Sequence, residues 1–186
     1  MSTADPGTDP TMAAIGAAVE SGHRGDIDRA RSELAHLWTT IGPAGDPLHR
    51  CTLAHHLADL HADPAQALVW DIRALDAADA LTDARVHRHH EGLSVAGFYP
   101  SLHLNLADDY RLLGSFGAAA DHIAAARERL DALPEGGYGR LIRRATEEVG
   151  ELIEARSTRR RPSAPGVAQA GHRARKHPEH IGQTSA

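Results

Sequence analysis

Apolar residues recur along this chain at intervals of three and four, the spacing that lays a stripe along one face of a helix. Between Asp26 and Ile41 the stripe is Ile27, Ala30, Leu34, Leu37 and Ile41. Between Ala118 and Leu133 it is Ala119, Ile123, Ala126, Leu130 and Leu133. Leu68, Ile72, Leu75 and Ala78 repeat the pattern after Asp63-Pro64, where the aspartate can cap a helix and the proline can occupy its first turn. No comparable run alternates with period two, so the pattern needs no strands. Glycine and proline clusters fall between the stripes, at Gly42-Pro43-Ala44-Gly45-Asp46-Pro47 and at Pro134-Glu135-Gly136-Gly137. The reading is all-α, with helices at about 11–22, 26–41, 48–61, 64–79, 83–95, 101–113, 117–132 and 138–156. The last has one apolar stripe, Ile142, Ala145, Val149 and Leu152, and a charged opposite face, as a terminal capping helix requires.

Three turn-plus-helix segments echo one another: Gly25-Asp26-Ile27-Asp28-Arg29-Ala30, Ala62-Asp63-Pro64-Ala65-Gln66-Ala67 and Gly114-Ser115-Phe116-Gly117-Ala118-Ala119. Each has a small residue at the turn and an alanine five positions on, followed by Leu37, Ala74 or Ala126. Upstream helices carry Ala17-Ala18, Ala54 and Ala58, and Ala107, where a partner helix must approach. The third unit, HLNLADDYRLLGSFGAAADHIAAARERL, places Leu106, Ala107, Tyr110, Gly114, Ala119, Ile123 and Ala126 in one register.

On these residues the chain resembles the tetratricopeptide repeats, helix–turn–helix units of 34 residues. The second unit departs from the pattern, with His55 and Asp71 where a small and an apolar residue belong. Spacing departs too, because an extra helix at 83–95 falls between units two and three. The resemblance implies antiparallel helix pairs stacked as a short right-handed solenoid with a C-terminal capping helix. The segment DPAQALVWDIRALDAADALTDARVHRHHEGL, followed by GFYPSLHLNLADDYRLLG, also resembles actinobacterial repeat proteins to which no activity attaches.

Composition marks off the ends. From Ser157 the chain has almost no large apolar residue and holds six basic residues against one acid, whereas residues 1–156 hold 14 basic against 24 acidic residues. The expected organisation is a disordered N-terminus at 1–10, a helical repeat domain at 11–156 and a disordered basic tail at 157–186. An acidic body repels phosphate, which leaves only the tail for weak contact with nucleic acid. One cysteine, Cys51, excludes an internal disulfide. With no long apolar run and no leader-like N-terminus, the expectation is a cytoplasmic protein without a membrane span.

Candidate chemistry centres on the fourteen histidines. His55 and Asp59 share a helical face, and His87, His90 and Glu91 could offer three ligands to one metal. Neither cluster has the ordered spacing of a known metal motif, and His55-His56-Leu57-Ala58-Asp59 lacks the adjacent His-Asp pair of metal phosphohydrolases. A nucleophile elbow and a phosphate-binding glycine loop are also missing, so the expectation is no cofactor and no catalysis. Gly97-Phe98-Tyr99-Pro100-Ser101 reads as a staple between helices, with an aromatic lip on a groove as the other reading.

The resemblance implies a concave groove lined by the first helix of each pair, where a protein or peptide would bind. Its positions here are His49, Thr52, His56 and Asp59 from the second unit, and Ser101, Leu104, Asn105, Asp108 and Arg111 from the third. The first unit offers Met12, Ile15, Val19 and His23, an apolar face that a homodimer through residues 11–41 would cover. The alternatives are a histidine-rich metal-dependent hydrolase and a ligand-sensing component of a bacterial regulatory system.

Overall fold

A computed structural model describes residues 9–92 and 94–161. Among them the regular structure is entirely helical. In chain order the α-helices are α1 (Pro10–His23), α2 (Ile27–Ile41), α3 (Pro47–Asp59), α4 (Pro64–Asp79), α5 (Asp83–His89), α6 (Tyr99–Leu112), α7 (Phe116–Arg127) and α8 (Gly137–Glu154). Two 3-10 turns, Val95–Gly97 and Leu130–Ala132, precede α6 and α8. None of the described helices is long and apolar enough to cross a membrane.

Three of the helices begin in the same way. Asp9, Asp46 and Asp63 each accept backbone N–H bonds from the first turn of α1, α3 and α4, and a proline follows each of them. The aspartate satisfies donors that the helix start leaves orphaned, and the proline has no N–H to lose there. Two of these caps are tied together by α5. Arg85 Nε donates to Asp46 Oδ2 at 2.5 Å and Nη2 to Asp9 Oδ2 at 3.1 Å, while His49 Nε2 lies 2.7 Å from Asp9 Oδ2. Burial opposes ionisation of Asp9, but the bonds from His49, Met12 N and Arg85 outweigh it and hold the carboxyl at about 2.

The helices pair as α1 with α2, α3 with α4, and α6 with α7, and α8 closes the end against α6 and α7. Two of the hairpins turn alike. Asp26 N bonds to Ser21 O and Ser115 N to Tyr110 O, with Gly25 and Gly114 at φ 97° and 77°. That left-handed corner is open to glycine and strained for other residues. Alanines with essentially no exposure (Ala30, Ala54, Ala74, Ala78, Ala107, Ala119 and Ala126) let neighbouring backbones approach closely. Leucines, isoleucines and valines fill the rest of three contiguous cores, one for each hairpin and its neighbours. Trp38 of α2 meets Trp70 of α4 edge to face at 5.2 Å, with Arg50 over one ring and Arg73 over the other.

Several sequence expectations are altered. The fifth helix stops at His89, with His90 extended, because past Val86 it has no buried residue to anchor it. The helix expected at 117–132 ends at Arg127, and the chain bends through Leu130–Ala132 to bury Leu133 against α8. Ile15 is buried, and Met12 and Val19 pack on the core it shares with α2 and α3, so the apolar face of α1 is covered within the chain. Asp9 and Pro10, expected in a disordered end, start α1, while residues 1–8 lie outside the described set. At the other end, Ser157–Arg161 lie against the body, and 162–186 are likewise outside the described residues.

The packing predicts a clear contrast in stability. Leu34, with no exposed surface, should cost about 3 kcal/mol on truncation to alanine. Ile72 is 46% exposed, and the same truncation should change stability by about 0.5 kcal/mol or less. Urea denaturation of the two variants measures both, and similar losses would contradict the burial assignment.

Candidate functional site

The first helices of the second and third hairpins, α3 and α6, face a common cleft, across which Asn105 Nδ2 of α6 lies 3.5 Å from His55 Nδ1 of α3. At its N-terminal end is a cavity of about 400 Å³. Cys51, Thr52, His55 and His56 line it from α3, and Ser101 and Leu102 from α6. Phe98 and Tyr138 add aromatic walls. Phe98 thus lines the cavity. Its neighbour Tyr99 instead fastens α6 to α4, donating from its hydroxyl to Asp79 Oδ1 at 2.8 Å.

Polar groups gather on the floor. His55 Nδ1 lies 3.8 Å from Asp71 Oδ1, and Asn105 Nδ2 donates to the same oxygen at 3.3 Å. The His55 side chain keeps 26% of its surface accessible, whereas that of Asp71 keeps 3%. Burial works against a charged His55, but the nearby carboxylates of Asp71 and Asp59 prevail and raise it to about 9. Burial, and then the charge of His55, push His56 down to about 4, which leaves a neutral ring in the cavity at pH 7.

Carboxyls deeper in the cleft respond the other way. Burial first, then the charge of Asp71 and a hydrogen bond with it, hold Asp109 well above the usual carboxylate range. Asp109 Oδ2 meets no hydrogen-bond partner among the described residues. Asp59 is raised as well, by burial and by Asp71. Asp109 therefore adds no charge to the cleft floor at neutral pH. Burial and then the Asp71 charge push the Cys51 thiol up to about 12.

The nine groove positions from the sequence separate into five places. Thr52, His56 and Ser101 meet around the cavity. Asp59 and Asn105 belong to the polar floor. Asp108 and Arg111 stand at the far end, where Arg111 is fully buried and bonded to Asp108. His49 is absorbed into the cap cluster with Asp9, and Leu104 is buried in the core beside Ala107 and Ala119. Of the metal candidates, His55 and Asp59 share the cleft, whereas His87, His90 and Glu91 are exposed around the end of α5. Because α5 stops at His89, His90 and Glu91 no longer share a helical face with His87. Among the described residues no three histidine, cysteine or acidic side chains are placed to hold a metal ion.

Asp71 and Asp109 escaped the sequence reading as site residues. Asp71 left a signal, since it stands where the repeat pattern wants an apolar side chain, and His55 stands where the pattern wants a small one. The two departures turn out to be partners. Asp109 left none, because an Asp-Asp pair on a helix looks like a solvated face.

Comparison with family models, with curated proteins and with solved structures finds no match for this chain. The functional reading therefore rests on the cleft itself.

Asp109 gives a pH test. Its folded value stands above the unfolded one of about 3.9, so its contribution is complete below that pH and is lost as pH rises toward the folded value. Asp109→Asn keeps the size and neutrality of the protonated acid. Between pH 5 and pH 8 the variant should gain on the parent by up to about 4 kcal/mol in urea unfolding. An equal difference at both pH values would mean that Asp109 is ionised in the fold.

Proposed function

We propose that this chain is a non-catalytic binding module of tetratricopeptide-like helix pairs, whose cleft between α3 and α6 receives a segment of a partner protein. The single observation carrying this reading is the cavity of about 400 Å³ at the mouth of that cleft, formed by first helices of two successive pairs. Hairpin packs on hairpin with α8 closing the end. That order supports a short solenoid, right-handed as in the repeats it resembles. The walls suit an apolar side chain, and neutral His56 and the Thr52 hydroxyl can orient its backbone.

The chemistry of the side chains favours binding over turnover. The Cys51 thiol is held protonated, Ser101 Oγ donates to Phe98 O at 3.0 Å, and His55 is committed to Asp71. A lone buried cysteine fits a protein that works in the cytoplasm.

Peptides selected from a random display library against the full chain test this. Enriched peptides should share an apolar anchor and bind at micromolar affinity. They should lose at least about tenfold on Thr52→Trp, which fills the cavity without touching the core, a difference of about 1.4 kcal/mol. Selection that yields only peptides indifferent to Thr52→Trp would remove the cavity from the binding site.

A further inference from the structure

The last helix ends in the same backbone turn as α1 and α6, but with an arginine at the corner. Ser157 N donates to Leu152 O at 2.8 Å, and Arg156 takes the left-handed position at φ 47°, a conformation that disfavours any residue with a side chain. The turn sends residues 157–161 back across the C-terminal half of α6. No helix or strand includes them.

Side chains of the body hold them instead. Arg111 Nη1 donates to Ser157 O at 2.6 Å and to Arg159 O at 2.8 Å. Its remaining nitrogens donate to Asp108. Asp108 also accepts from Arg161 Nε at 2.9 Å, and Glu148 of α8 lies 3.7 Å from Arg161 Nη1. Only 7% of the Arg161 side chain remains exposed. Arg160 reaches over to the carbonyl of Ala62, in the turn between α3 and α4. The segment is thus a strap over the end of the cleft opposite the cavity.

Two kinds of recognition are combined in the strap. Arg111 grips main-chain carbonyls, which every peptide has, whereas Asp108 and Glu148 select a guanidinium. Charge favours the same class of occupant, because residues 1–156 hold 14 basic against 24 acidic residues. The geometry points to a site for an extended, arginine-bearing segment of a partner protein, gripped by Arg111 and entering the Asp108–Glu148 slot in competition with the chain's own residues 157–161. This inference rests on the reading of the cleft as a peptide site, since the slot is the other end of that cleft.

The test uses full-length chains and a fluorescein-labelled peptide Ser-Thr-Arg-Arg-Arg blocked at both ends, read by anisotropy. The parent should bind weakly, because its own strap fills the slot. Replacing Arg160→Ala together with Arg161→Ala removes the strap's own guanidinium from Asp108 and should raise affinity at least tenfold. Adding Asp108→Asn to that chain should abolish binding, and adding Glu148→Gln instead should weaken it several-fold. Melting temperatures establish that each variant is folded, and Glu148→Gln decides the matter if Asp108→Asn is not. The proposal is overturned if the double variant binds no better than the parent, or if its binding survives the acid substitutions. Thr52→Trp, at the distant cavity, should leave this short peptide unaffected. Slot binding without any Thr52-dependent ligand would therefore support the slot and sink the cavity reading alone.

Discussion

A guanidinium with none of its surface exposed must have its donors answered inside the protein, because a buried unpaired charge costs several kcal/mol. Arg111 is in that position. Its partners are the Asp108 carboxylate one turn earlier and two main-chain carbonyls from beyond the last helix. That requirement fixes more than a local contact. It orients Asp108, which then receives Arg161, and it brings the chain back over α6 after α8 has ended. α6 packs against α4, α7 and α8 as well, so the helix that carries the cleft is held on several sides.

The cleft floor solves a related problem with neutralised acids. Close helix crossings made by Ala54, Ala74 and Ala107 leave little room for water beside Asp71 and Asp109. Two ionised carboxylates in contact there would repel strongly, so one holds a proton and the other takes the Asn105 amide and the His55 ring. The outcome is a polar floor of low net charge beneath an apolar cavity. On the proposed reading, such a site discriminates by shape and hydrogen bonding near Ser101 and by charge near Asp108.

Helix existence was legible in the sequence because the three-and-four spacing of apolar residues is a direct trace of burial on one face. The Gly25 and Gly114 turns were legible too, since the left-handed corner leaves a glycine behind. Asp9-Pro10 was passed over although it is the same dipeptide that starts α3 and α4, because its low-hydrophobicity surroundings masked the cap. Groove positions were harder. A repeat register says which residues share a helix face, but the rotation of each helix in its packing decides which of them reach the cleft. Leu104 turned inward to meet Ala119, and His49 was drawn to Asp9, a contact across forty residues that no local pattern encodes. The Ser157–Arg161 strap was read as solvated because its composition has nothing to bury. Its anchorage comes from Arg111, whose burial depends on the tertiary fold.

On the proposed reading, the two ends of the cleft fix the form of a ligand that uses both. Ser101 at the cavity and Asp108 at the slot are seven residues apart on α6, a rise of about 10 Å. An extended chain covers that distance in about three residues. A ligand would then carry an apolar anchor and an arginine about three positions apart, with small or polar residues between them over the His55–Asp71 floor. A bulky side chain in the middle would meet that half-buried pair, and an acidic one would face Asp59 and Asp71. The chain's own strap supplies only the arginine end of such a segment, for Pro162 and Ser163 follow Arg161 with no large apolar side chain. A ligand that engages both ends gains a contact that residues 157–161 do not make.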